Sequence, residues 1–143
     1  RCLELELTES LLIKDSSRLS DLLLRLRALG VSLAIDDFGT GYSNLGYLKR
    51  FEVGRLKIDQ SFIRRLPNDK HDEAIVRAII QMAQNLQLGT IAEGVENVAA
   101  LARLVEMGCN EGQGLLWAPA LPAEEFEAYV SRQQAAGWMP RLA

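Results

Sequence analysis

The chain has 143 residues with 16 basic and 19 acidic side chains, enough for one domain with a real core and too few for two. Apolar residues make up 48% and charged ones 24%, which excludes a disordered chain, and a net charge of −3 offers no general attraction for DNA or RNA. No apolar run approaches the ~20 residues that cross a bilayer, and two lone thiols, Cys2 and Cys109, without CxxC spacing fit a reducing compartment such as the cytoplasm.

Five short runs read as strands, with helical patterns between them. CLELEL (2–7) is followed by SSRLSDLLLRLRALG, which places Leu19, Leu22, Leu23, Leu26 and Leu29 on one stripe. Ser16 or Ser17 would cap that helix and Gly30 would stop it. VSLAID (31–36) comes next, then a shorter helix within SNLGYLKRF. RLKID (55–59) leads into QSFIRRL, and RRLPNDKHDE reads as a solvated loop that includes His71. DEAIVRAIIQMAQNLQLG points Ile75, Ile79, Met82 and Leu86 inward and closes at Gly89. GTIAEG (89–94) is the fourth strand. In ENVAALARLVEMG, Asn97 caps, Leu101, Leu104 and Val105 face inward, and Gly108 ends the helix. CNEGQG (109–114) is the last strand. PAEEFEAYVSRQQAAG then opens a helix with Pro122 near its first turn and acids that suit its N-terminal dipole. Residues 136–143 form a loosely held tail.

Alternation of strand and helix calls for a parallel α/β sheet, either an open doubly wound sheet or part of a closed barrel. FGTGYSNLG has neither GxGxxG spacing nor a Walker lysine, against a nucleotide-binding doubly wound fold. Nearly every strand ends in an acid or functional amide: Glu6 and Glu9, Asp36 and Asp37, Lys57 and Asp59, Glu93 and Glu96, Glu111 and Gln113. Such groups converge best at the mouth of a (β/α)8 barrel. Barrels of that kind need about 250 residues, so only the later β/α units are expected here, with the earlier ones upstream of Arg1.

Carboxylates gathered at one cavity need a cation among them, and oxygen donors without histidine or thiolate suit Mg²⁺ or Mn²⁺. Adjacent aspartates allow one to bridge two ions, and ions ~3.5–4 Å apart assist phosphoryl displacement. Lys57, two residues before Asp59, shares its strand face and would orient water or neutralise phosphate. Each residue alone also has a plainer reading. LELEL fits a half-exposed strand, Asp36–Asp37 a turn or a cap before Ser43, and Asp59 the N-cap of QSFIRRL. Glu96 would equally cap or pair near the next helix, Gln113 would end a strand, and Trp117 would pack at a barrel rim.

Taken together, ELTES, DDFGTGYSNL, LKIDQSF, IAEGVE and GCNEGQGLLWAPALP resemble the EAL-domain cyclic di-GMP phosphodiesterases, from Leu3 to about Val130. The resemblance implies a modified (β/α)8 barrel, residues 1–135 being the C-terminal part of its domain, that hydrolyses cyclic di-GMP to linear pGpG with two Mg²⁺ or Mn²⁺ ions. It implies that Glu6 binds the first ion, Asp36 both, and Asp37 and Glu93 the second. Glu93 would also be the general base, and Lys57 would position water. Glu9 would hold the loop beginning at Phe38, which contains Gly39 and Gly41 and couples dimerisation to metal binding. Asp59, Glu96 and Gln113 would support the site or touch substrate.

The same resemblance implies a homodimer through the loop after Asp37 and a neighbouring helix, and sensory or GGDEF-type domains elsewhere in the parent chain. The family's Glu-Ala-Leu motif and an early-strand Asn are expected upstream, so this segment alone is expected to be inactive. A commoner DEVQGYLFSRPLP appears here as NEGQGLLWAPALP, with Asn110 for an acid, Gly112 loosening a strand end, Leu115 lacking an aromatic ring and Pro119 where arginine is frequent. These departures bear on dinucleotide binding. The rivals are a degenerate EAL module that binds without cutting, and an enolase-like lyase with a lysine base and Mg²⁺.

Overall fold

The computed structural model describes residues 3–9, 11, 17–41, 46–51 and 53–135. Five parallel strands form one sheet: β1 Glu4–Thr8, β2 Ser32–Phe38, β3 Arg55–Ile58, β4 Gly89–Glu93 and β5 Glu111–Gln113. They are connected by α1 Ser17–Ala28, α2 Gly46–Phe51, α3 Gln60–Ile63, α4 Lys70–Asn85 and α5 Val98–Met107, and α6 Ala123–Ala135 follows β5. The strand order is β1-β2-β3-β4-β5 without reversal. Right-handed crossovers that always advance the same way put every helix on one face of the sheet, the winding of a barrel arc and not of a doubly wound sheet.

That helix-side face is the core. Leu33, Ile35, Leu56, Ile58 and Ala92 are buried there against Leu23, Ile63, Val76, Ile80 and Leu104. The opposite face carries Glu4, Glu6, Ala34, Asp36, Arg55, Lys57, Glu93, Glu111 and Gln113, because side chains alternate along each strand.

Between Ile35 and Phe38 β2 takes three steps where β3 takes two, from Leu56 to Ile58. The extra residue is a bulge, and it keeps Phe38 in the core while both aspartates stay at the rim. Strict alternation would have driven Asp37 inward among the helices. Asp37 instead adopts a left-handed φ of 55°, and its carbonyl accepts hydrogen bonds from Thr40 Oγ1 at 2.9 Å and Thr40 N at 3.3 Å.

Several expected details move. The second strand runs on through both aspartates, and the fifth shrinks to three residues. On α1, Leu23 is buried with Leu19 and Leu26 beside it, whereas Leu22 is 51% exposed, and Leu29 lies beyond the helix end and is exposed. On α4 the seam is Val76, Ile79, Ile80 and Ala83, an i, i+3, i+4, i+7 stripe; Ile75 and Leu86 face outward. The helix ends at Leu86, with Gln87 at φ 59°, and Gly89 instead begins β4. Val105 is exposed while Ala100, Leu104 and Met107 face inward on α5; Asn97 and Gly108 cap that helix as expected. The charged run at 64–73 is not simply a solvated loop. It buries Leu66 and Asp72, and Arg65 Nε lies 2.9 Å from Asp72 Oδ2. Cys2, Ser16, the segment 42–45 and the tail 136–143 lie outside the described residues.

Gly112 does not merely loosen β5. A Cβ there would lie 2.8 Å from Trp117 Cη2, so the indole occupies the space a side chain would take. Gly112→Val should therefore destabilise the fold by about 1–3 kcal/mol, and adding Trp117→Phe should recover most of that loss. Urea unfolding of both singles and the double variant checks this; additive losses would refute the complementarity.

Candidate metal centre

Lys57 stands at the centre of the polar face. It is 4% exposed, and its Nζ lies 2.7 Å from Glu6 Oε2, 2.8 Å from Glu93 Oε1 and 3.0 Å from Asp36 Oδ1. Three strands besides its own thus send a carboxylate to one ammonium. Burial works against the charge, but the hydrogen bonds to Glu6, Glu93 and Asp36 outweigh it and push the Lys57 pKa well above its usual value.

On one side of Lys57, Asp36, Asp37 and Glu93 each place a carboxylate oxygen within 4.8 Å of the others. Asp36 Oδ1 is buried, with the Lys57 ammonium at 3.0 Å as its counter-charge. Burial raises the Glu93 pKa despite Lys57, with the charges of Asp36 and Glu6 adding to the effect. Loss of solvent, then the charges of Asp36 and Asp59, raises Asp37. These carboxyls resist sharing negative charge, and an all-oxygen set of this kind fits a hard divalent cation.

Asp59 serves both readings. It caps α3, accepting from the Ser61 N–H at 2.8 Å, and its charge acts on Asp37. Burial alone would raise its pKa, but the Ser61 hydrogen bonds win and hold it below the ordinary range. Gly94, at φ 68°, lets α3 press on the tip of β4: a Cβ there would stand 2.6 Å from Gln60 Cβ.

Other expected site residues lie apart from the cluster. Glu9 is buried, with neither carboxylate oxygen hydrogen-bonded among the described residues, and packs against Gly41, where a Cβ would meet Oε2 at 3.3 Å. Gly39, at φ 100°, leaves room for Phe62 and Ile79. Glu96 pairs outward with Arg64 Nε at 3.2 Å. Gln113 is the register partner of Glu93 and is exposed. Glu111, expected at a strand tip, opens β5 lower on the face and pairs with Arg55 Nη1 at 3.2 Å. Arg55 also approaches Glu4, its Nε 3.7 Å from Oε2. Sequence reasoning passed over Arg55, although its spacing two residues before Lys57 placed it on the same face.

The EAL domain family model matches residues 1–120. The chain belongs to that family, and its five parallel strands are those of a (β/α)8 barrel domain. The cyclic di-GMP phosphodiesterase NbdA of Pseudomonas aeruginosa is 49% identical over 128 residues, which is 90% of this chain and 16% of NbdA. A solved cyclic di-GMP complex of the PaMucR phosphodiesterase is 47% identical with a TM-score of 0.82, covering 87% of this chain and 50% of that one. A manganese and cyclic di-GMP complex of Klebsiella pneumoniae BlrP1 is 34% identical with a TM-score of 0.74, covering 81% of this chain and 30% of that one. The chain therefore spans half, or less, of these relatives' lengths.

With cations chelated, the raised Glu93 pKa makes a pH prediction. A carboxyl that holds its proton more tightly when folded favours folding at low pH, and that contribution is lost as pH rises through its folded pKa. Glu93→Gln should accordingly gain stability over wild type as pH rises above the unfolded glutamate value of about 4.3. Urea unfolding in chelator at several pH values measures it; a difference independent of pH would refute the assignment.

Proposed function

We propose that this chain is the later part of an EAL phosphodiesterase domain that hydrolyses cyclic di-GMP to linear pGpG. The observation that carries the reading is the Asp36, Asp37 and Glu93 oxygen cluster beside the buried Lys57 ammonium. Family membership and relatives named as cyclic di-GMP phosphodiesterases support it.

In this reading Asp36, Asp37 and Glu93, with Glu6 beside Lys57, are the residues that would hold Mg²⁺ or Mn²⁺. The cation supplies Lewis-acid stabilisation of the phosphoryl oxygens. Lys57 orients the attacking water with a donor that is kept charged. Glu93, whose pKa burial raises above the ordinary glutamate value, takes the proton of the water as its oxygen bonds to phosphorus; the P–O3′ bond breaks and the leaving 3′ oxygen takes a proton from solvent. Asp59 caps α3 beside the cluster, and Glu9 steadies the loop after Phe38 by filling the space beneath Gly41. Glu96 and Gln113 flank the mouth, within reach of a bound dinucleotide.

We further assign the complete protein to the cytoplasm, as a homodimer through the loop after Asp37. Regulatory domains in the same chain fit the bifunctional cyclase and phosphodiesterase MucR, a relative 46% identical over 127 residues. No helix among the described residues is long and apolar enough to cross a membrane.

Glu93→Ala or Asp36→Asn in a complete domain carrying this chain should abolish hydrolysis, a loss of at least about a thousandfold for a general base with ligand duty. Chromatographic detection of pGpG reads it out. Near-normal turnover in either variant overturns the roles; cyclic di-GMP binding without hydrolysis by the wild type would make the domain a receptor. Residues 1–143 alone should yield no measurable product.

A further inference from the structure

Below Lys57 the polar face carries a second cation, and its surroundings are shaped around it. Arg55 opens β3, with Ala34 of β2 and Gly89 of β4 as its register partners. Both neighbours are small. Ala34 has only a methyl group, and at Gly89 a Cβ would stand 3.3 Å from Arg55 Cγ. Over these two low positions the guanidinium reaches past the adjacent strands to the next ones, to Glu4 of β1 and Glu111 of β5.

Inside a barrel, side chains from alternate strands share a layer. Glu4, Arg55 and Glu111 make one such layer. Two residues further on, the same three strands supply Glu6, Lys57 and Gln113, about 6.6 Å higher at strand rise. Glu4 and Glu111 keep 27% and 38% side-chain exposure, and Arg55 keeps 32%. Ion pairs so open to solvent add little stability. A planar guanidinium that meets one carboxylate on each side does fix geometry.

We infer that Arg55 is a positioning residue: by tying β1 and β5 to β3 it sets the spacing at which Glu6, Lys57 and Gln113 meet the Asp36, Asp37 and Glu93 cluster. The inference rests on reading that cluster as a divalent-cation site. It does not depend on what the site hydrolyses.

The sign of the effect makes it testable. Removing a positive charge near a cation site should by electrostatics alone tighten metal binding. Removing a positioning residue should weaken it. Manganese titration of a complete domain carrying this chain, followed by the electron paramagnetic resonance of free Mn²⁺, separates the two. Arg55→Met should weaken binding about tenfold or more, the size typical of lost outer partners, while the urea midpoint barely moves. Arg55→Lys, which keeps the charge but not the two-sided reach, should fall between Arg55→Met and wild type. Should Arg55→Met fail to fold, Glu111→Gln removes only the 3.2 Å contact and should weaken binding severalfold. Unchanged or tighter manganese binding in the folded variant overturns the inference. A wild type that binds no manganese overturns the cation-site reading beneath it; a wild type that binds manganese but leaves cyclic di-GMP intact overturns only the phosphodiesterase reading.

Discussion

The Lys57 ammonium, buried among carboxylates from three other strands, is the constraint on which the polar face depends. A charge removed from water is tolerated only when its counter-charges are close and well placed. Lys57 has three, so the strands that carry Glu6, Asp36 and Glu93 must present their tips to one point. The arrangement is still not neutral. Asp37 joins the same cluster, and the pKa values of Asp37 and Glu93 are raised first by loss of solvent and then by the neighbouring carboxylate charges that one ammonium leaves unmatched. That residue of charge is what connects the fold to cation chemistry.

Backbone geometry delivers the charge. Adjacent aspartates in a strand would normally point to opposite faces, and one of them would end among the helices. The bulge in β2 breaks that rule at a single step, and the left-handed conformation of Asp37 completes the turn. A non-glycine residue held there is strained, and the hydrogen bonds from Thr40 help to hold it. Gly39 and Gly41 follow directly, each pressed close to another side chain. The loop that leaves the site is thereby packed against α3 and α4 through Phe62 and Ile79, and against Glu9 at the end of β1.

Much of this was legible in the sequence because polar residues interrupt apolar strands at regular places. The adjacency of Asp36 and Asp37 and the acids closing successive strands pointed to one mouth, and the family motifs agreed. The helix seams were harder to read. Leu22, Leu23 and Leu24 are consecutive, so composition cannot say which one faces the sheet; only the packing of Leu19, Leu23 and Leu26 decides it. Glu111 was placed at a tip because CNEGQG looked like a full strand, but a three-residue strand starts later and puts it one layer lower. The Arg55 contacts depend on strand register and on small residues at Ala34 and Gly89, neither of which is local in sequence.

The division of the sheet into an apolar helix side and a charged inner side has a consequence for folding. An ordinary barrel interior is filled by branched apolar side chains that stabilise closure. Among the described residues the inner face carries carboxylates, Gln113, Lys57 and Arg55, with Ala34 and Ile91 as its apolar members, so closure gains less from apolar burial and more from matched charge. Such matching is specific but weak where solvent reaches it. The helix-side core, with Leu33, Ile35, Leu56, Ile58 and Ile80 almost fully enclosed, therefore carries the stability, and the inner face is left free to be organised for chemistry. The two tasks fall on opposite sides of the same strands, separated by one residue of alternation.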